Sequence, residues 1–226
     1  MSGMVRGISL KLAGAVALLP LAGCAALPPE PVGAVVVPSE EVPADLELEW
    51  QRYASAEDVA RIGRIDAAWA EGLATVREAG FVTAVEEEGA LLDPQGGLQR
   101  PDPTPGSYRC RLVKLGAAEA GDPAFIAYPA FFCYVEIEED RFTIVKQTGS
   151  QRPAGRLFEA ERRYIFLGSL ALGNEREPLA YGEETSRDMA GVWERVGPFR
   201  WRLAIPYPRS GGVMDVFELV PTADQP

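Results

Sequence analysis

Apolar residues fall into three textures along this chain. The first is an unbroken run, "LAGAVALLPLAG", between Lys11 and Cys24. The second has a helical period. Within residues 55–80, Val59, Ile62, Ile65, Trp69, Leu73 and Val76 recur every three or four positions, which predicts one amphipathic helix. Ser55 is a suitable N-cap with Asp58 three residues on, and Gly80 is a natural stop. A shorter helix is expected over Val82–Leu92, ending before Asp93-Pro94, with Glu86-Glu87-Glu88 as its solvated face. A loop rich in Pro and Gly follows, so residues 45–106 read as a helical hairpin and loop.

The third texture begins at Ser107. The segments "SYRCRLVKL", "FFCYVEIE", "RFTIVKQT", "RRYIFLGSLAL", "DMAGVWERV", "FRWRLAIPY" and "VMDVFELV" are short and rich in aromatic and β-branched residues. Turn residues such as Gly116, Glu139-Asp140, Gly149 and Gly211-Gly212 separate them. Strands at this spacing without helices between them indicate an antiparallel sheet. In "FRWRLAI", Phe199, Trp201, Leu203 and Ile205 point one way and Arg200 and Arg202 the other. The expected fold is therefore α+β, mainly β. An antiparallel up-and-down barrel of 7–8 strands, or a barrel-like sheet, spans residues 107–221 after the N-terminal helical hairpin. Closure removes exposed edges; a flat sandwich is the alternative. Trp69, Trp193 and Trp201 are expected in the core, and residues 222–226 form a tail.

The first apolar run is too short to cross a bilayer and contains Pro20, and Arg6 and Lys11 precede it. That is the pattern of a secretory signal over residues 1–23. Leu21-Ala22-Gly23-Cys24 resembles the lipobox of bacterial lipoproteins. The resemblance implies cleavage before Cys24 and lipidation of its thiol; ordinary cleavage after Ala26 is the alternative. Ala25, rather than Asp, follows the cysteine, so the resemblance implies the periplasmic face of the outer membrane, within the cell envelope. Residues 25–44 hold five prolines and no helical period, and with Cys24 they read as a tether. Fully extended at roughly 3 Å per residue, it would reach about 60 Å.

Charge and composition narrow the chemistry. The net charge of −11 argues against nucleic acid as a partner. Histidine is absent, which excludes Ser-His-Asp and Cys-His catalysis and imidazole metal sites. Lysine occurs only at Lys11, Lys114 and Lys146. In an oxidising periplasm the two remaining cysteines, Cys110 and Cys133, are expected to pair; two separate buried thiols are the alternative. If they pair, no cysteine is left as nucleophile or metal ligand. Neither a nucleotide loop nor a metal set appears, so no cofactor is expected. A pair of carboxylates, or Ser150 with Lys146, remains as a route to a hydrolase.

"TGSQRPAG" (148–155) reads as a loop joining two strands, with Ser150, Gln151 and Arg152 presenting polar groups. Arg152 is of the type that clamps a carboxylate or phosphate; an ion pair with a nearby Glu is the competing reading. "SRDMAG" (186–191) invites the same two readings, with Arg187 and Asp188 either binding or pairing with each other.

From Trp50 to Pro221 the chain resembles a family of uncharacterised bacterial envelope proteins classed as a domain of unknown function. The residues that carry the resemblance include "EGALLDP", "YRCRLVKLG", "YPAFFC", "TGSQRPAG", "FLGSLALG", "RDMAG", "RVGPFRWRL" and "DVFELVP". It implies a single domain and no particular activity. The leading expectation is a lipid-anchored periplasmic domain that binds a small molecule, a lipid or an envelope protein without catalysis. An assembly or structural role in the outer membrane is the second reading, and a carboxylate- or Ser/Lys-based hydrolase the third.

Overall fold

The structure is a computed structural model and describes residues 48–173, 175 and 177–222. The leader, Cys24, the tether and the last residues of the tail lie outside the described residues.

Nine strands form the β domain: β1 (Gly106–Leu115), β2 (Phe125–Ala127), β3 (Phe131–Glu138), β4 (Arg141–Lys146), β5 (Gln151–Ala160), β6 (Arg163–Leu172), β7 (Asp188–Gly197), β8 (Arg200–Pro206) and β9 (Met214–Pro221). All pairings are antiparallel. Strands β1, β3, β4, β5, β6, β7, β8 and β9 follow one another around the sheet, and β9 returns to pair with β1 along Tyr108–Leu115. This is a closed eight-stranded barrel with an up-and-down order. The short β2 is an extra strand beside the second half of β1, where β3 has already diverged.

Alternation along the strands sorts the side chains into two cores. Tyr108, Cys110, Cys133, Ile144, Leu157, Phe166, Trp193, Trp201, Leu203, Phe217 and Leu219 fill the interior. Val113, Leu115, Phe158, Ile165, Leu167, Val192, Ala204 and Val216 face outward and are covered by helices. Cys110 and Cys133 are joined as a disulfide with Cα atoms 6.0 Å apart, bridging β1 and β3 inside the barrel.

The helical layer comprises α1 (Glu49–Tyr53), α2 (Ala56–Ile62), α3 (Ile65–Glu78) and α4 (Val82–Glu88), with a 3-10 turn at Gly89–Leu91. Ser55 caps α2 by accepting from the Asp58 amide at 3.1 Å. The single helix expected over 55–80 is broken at Gly63-Arg64. The barrel is curved: α2 lies against β7, whereas α3 crosses β8, β9 and β1. One straight rod cannot follow both surfaces, and Gly63 is the weakest helix former at the bend. Gly72 lets α3 approach closely, since a Cβ there would stand 3.2 Å from Leu115 Cβ.

Arg202 clamps this layer to the barrel. It faces outward as the alternation predicts, yet it is completely buried. Its guanidinium donates to Glu194 Oε2 at 2.7 and 2.9 Å, to Leu91 O at 3.2 Å and to Asp93 O at 2.5 Å. It also lies 4.9 Å over the Trp69 ring. Phe199, expected on the same side as Trp201, precedes β8 in the turn and is exposed.

The expected loop at 148–155 is largely strand: Gln151 to Gly155 open β5. Pro153 misled the reading. Pairing of β5 with β4 stops at Ala154, so Pro153 sits where β5 has a partner only in β6. Gly155 and Gly168 stand opposite each other, and the Phe166 ring lies over both. A Cβ on Gly168 would come within 2.5 Å of Phe166 Cζ.

Candidate functional site: a blind cavity at the open end of the barrel

The two ends of the barrel differ. One end is stoppered by the segment before β1. The Trp193 and Trp201 indole N–H groups both donate to Pro101 O, at 2.9 and 3.0 Å. The Tyr108 hydroxyl donates to Thr104 O at 2.6 Å, and Tyr164 donates to Asp102 Oδ1 at 2.7 Å. Burial pushes the Tyr108 hydroxyl up to about 12, against the opposing pull of its bond to Thr104.

The other end is open and encloses about 530 Å³. It lies where β1, β4, β6 and β8 finish and β3, β5, β7 and β9 begin. Leu112, Phe131, Ile205 and Phe217 form an apolar lining. A small hollow beside it, bounded largely by apolar side chains including Phe166 and Leu219, holds only about 20 Å³. That is room for about one water. The cavity is therefore blind, and its polar groups sit at the rim and upper wall.

Both lysines of the domain line this one cavity. Lys114 and Asp215 are directly opposed in the β1–β9 register, and Lys114 Nζ lies 2.8 Å from Asp215 Oδ1. Lys114 also donates to Ser210 Oγ at 3.1 Å, and Ser210 donates to Asp215 Oδ2 at 3.4 Å. Burial raises the Asp215 carboxyl above the ordinary range, with Lys114 and Ser210 pulling it partly back. Lys146 has neither a hydrogen bond nor an ion pair among the described residues; its Nζ sits 4.2 Å from the Phe131 ring centre. Burial, assisted by the Arg152 charge, lowers its ammonium below the usual lysine range.

Of the residues singled out in the sequence, Ser150, Gln151, Arg187 and Asp188 all line the cavity. Arg187 and Asp188 do not pair with each other. Arg187 reaches Glu175 Oε1 at 2.6 Å and Glu184 Oε2 at 3.1 Å, and Asp188 accepts from the Gly182 amide at 2.9 Å. Arg152 is not among the lining residues. It donates to the carbonyls of Gly149, Gly173 and Glu175, and so ties the start of β5 to the chain beyond β6. Ser150 and Lys146 share the cavity, but no hydrogen bond joins them among the described residues.

Sequence reading passed over Lys114 and Asp215, and considered Lys146 only as a partner of Ser150. A signal was present. Lys114 shares the face of Tyr108 and Cys110, Lys146 that of Phe142 and Ile144, and Asp215 that of Phe217 and Leu219. Charges on the inward face, clustered at one set of strand ends, mark a wet barrel mouth.

Among the described residues, no group of three or more Cys, Asp or Glu side chains is placed to hold a metal ion. No helix among them is long and apolar enough to cross a membrane. The family described as Domain of unknown function (DUF4893) matches residues 50–219. No curated protein and no solved structure matches the chain.

Proposed function

The chain belongs to the DUF4893 family, a domain of unknown function, and on that premise we propose that it is a binding module whose ligand occupies the open mouth of the barrel. One observation carries the reading: the mouth is a blind cavity of about 530 Å³ with an apolar lining and a charged rim. That combination of size, enclosure and convergent polar groups is what small-molecule sites require. The plug at Pro101 and the packed interior make the module a cup rather than a channel. The sequence adds the setting. The apolar leader and "LAGC" support an anchor on Cys24, with the Pro-rich tether holding the cup off the periplasmic face of the outer membrane.

Native mass spectrometry of the protein purified from the cells that make it tests the binding. A reproducible bound mass, lost in a Phe217→Glu variant that places a carboxylate on the cavity lining, is the expected result. A wild-type protein that carries no mass, with the same spectrum as the variant, contradicts it. The anchor is tested separately by labelling cells with a palmitate analogue. Label is expected on the wild type and not on Cys24→Ser; an unlabelled wild type contradicts the anchor.

A further inference from the structure

We infer that the cavity takes a small organic oxyanion, a carboxylate or phosphate ester on a compact apolar body, and that Lys146 meets the oxyanion. The inference deepens the binding reading above and rests on it.

Charge points to the class. Five cations line the cavity, Arg61, Lys114, Lys146, Arg187 and Arg209, against two anions, Asp188 and Asp215. This concentration stands out in a chain with a net charge of −11. Four of the five cations are answered by carboxylates. Asp58 lies 2.9 Å from Arg61, Asp215 2.8 Å from Lys114, Glu175 2.6 Å from Arg187 and Glu57 3.0 Å from Arg209. Lys146 is the fifth and has no such partner among the described residues. Its lowered ammonium pKa agrees, because burial and Arg152 both disfavour the charge where it stands. An arriving anion relieves both effects.

A second observation is independent of Lys146. The Arg61 side chain is 5% exposed, and its Nη1 is buried with no hydrogen-bond partner. Arg61 is also a lining residue, so an unused donor lies within the cavity wall, behind its surface. Buried donors are ordinarily satisfied. The Arg61 charge adds to the cationic wall that an arriving anion meets.

Shape restricts the rest of the ligand. The apolar lining of Phe131, Ile205 and Phe217 favours a ring or a branched aliphatic group. The adjoining hollow of about 20 Å³ gives a long acyl chain nowhere to continue.

The test uses the full chain in titration calorimetry with four probes: phenyl phosphate, benzoate, benzyl alcohol and palmitate. Phenyl phosphate or benzoate is expected to bind at least about tenfold more tightly than benzyl alcohol. Lys146→Met is expected to bring the charged probes to the level of benzyl alcohol, and Lys146→Arg to keep most of the difference. Benzyl alcohol binding as tightly as the anions, or charged probes indifferent to Lys146→Met, overturns the oxyanion class and leaves the cavity reading standing. Palmitate binding more tightly than benzoate overturns the compact body. A wild type that binds none of the four overturns the cavity reading as well.

Discussion

Replacing Lys114 by Met removes the amine that faces Asp215 and leaves the carboxylate in place. The two side chains are 10% and 6% exposed, and among the described residues the only other group bonded to the Asp215 carboxylate is the Ser210 hydroxyl. Breaking a buried pair by deleting one partner costs about 3–5 kcal/mol. The pair borders an open cavity that admits some water, so the lower end applies, about 3 kcal/mol. At roughly 2–4 °C per kcal/mol for a domain of this size, the melting temperature falls by about 9 °C. Urea unfolding at neutral pH, with thermal scans alongside, reads both quantities. The loss depends on pH in a fixed direction. The folded-state pKa of Asp215 is already raised, so in the wild type this group's contribution declines as pH rises from the ordinary carboxylate range through that raised value. Without Lys114 the folded value rises further. The deficit of the variant is therefore greatest at pH above that raised value and shrinks on acidification, as Asp215 becomes protonated and needs no counter-charge. Lys114→Met with Asp215→Leu, which removes both charges, is expected to return to within about 1 kcal/mol of the wild type. A single variant within about 0.5 kcal/mol of the wild type, or a deficit that stays constant on acidification, refutes the reasoning.

Arg202→Met is expected to lose about 3 kcal/mol in urea unfolding, because Glu194 and the carbonyls of Leu91 and Asp93 lose their shared donor; an unchanged midpoint would show that the helical layer does not depend on this clamp. Gly168→Ala is expected to cost at least about 1–3 kcal/mol, since its Cβ meets Phe166 and the facing strand, and a neutral result in thermal unfolding contradicts that geometry. Reducing the Cys110–Cys133 bond, or replacing both residues by Ala, is expected to lower stability by about 3 kcal/mol through the closed loop; peptide mapping that finds both thiols free removes the basis for it. Benzoate affinity is expected to be highest at pH below the lowered Lys146 pKa and to fall as pH rises through it, because the bound anion favours the protonated amine. Arg152, Arg61, Lys114, Arg187, Arg209, Asp188 and Asp215 are the other charged groups around it, and an affinity that is flat or increases with pH in calorimetry rejects Lys146 as the titrating contact.

The barrel was legible because its strands alternate. The inward set through Trp201, Leu203 and Ile205 was readable from period two alone, whereas the Cys110–Cys133 pair was expected from an oxidising compartment. Strand β5 was not, because Pro153 and Gly155 carry the local signature of a loop. Only the partial pairing with β4 and the close Gly155–Gly168 approach make a strand tolerable there. The break in the long helix was hidden for a related reason: the apolar stripe continues through Gly63-Arg64, and the curvature that bends it belongs to the barrel.

The site was half legible. Ser150, Gln151, Arg187 and Asp188 could be picked out near turns, and they do line the cavity. Arg152 looked equivalent on sequence, but two of the three carbonyls it binds, those of Gly173 and Glu175, belong to a segment more than twenty residues away. Lys114 and Asp215 face each other across the β1–β9 seam that closes the barrel, a pairing between residues about a hundred positions apart. No local pattern contains it.

The binding function proposed for this protein depends on the open mouth of the barrel being a ligand site. A crystal structure of the protein purified from the cells that make it tests this most directly. Density for one compact molecule is expected in the cavity, with an oxygen at hydrogen-bonding distance from Lys146 Nζ and an apolar part against Phe131 and Phe217. A cavity that holds only water, or one filled by its own side chains with Lys146 turned out to solvent, contradicts it.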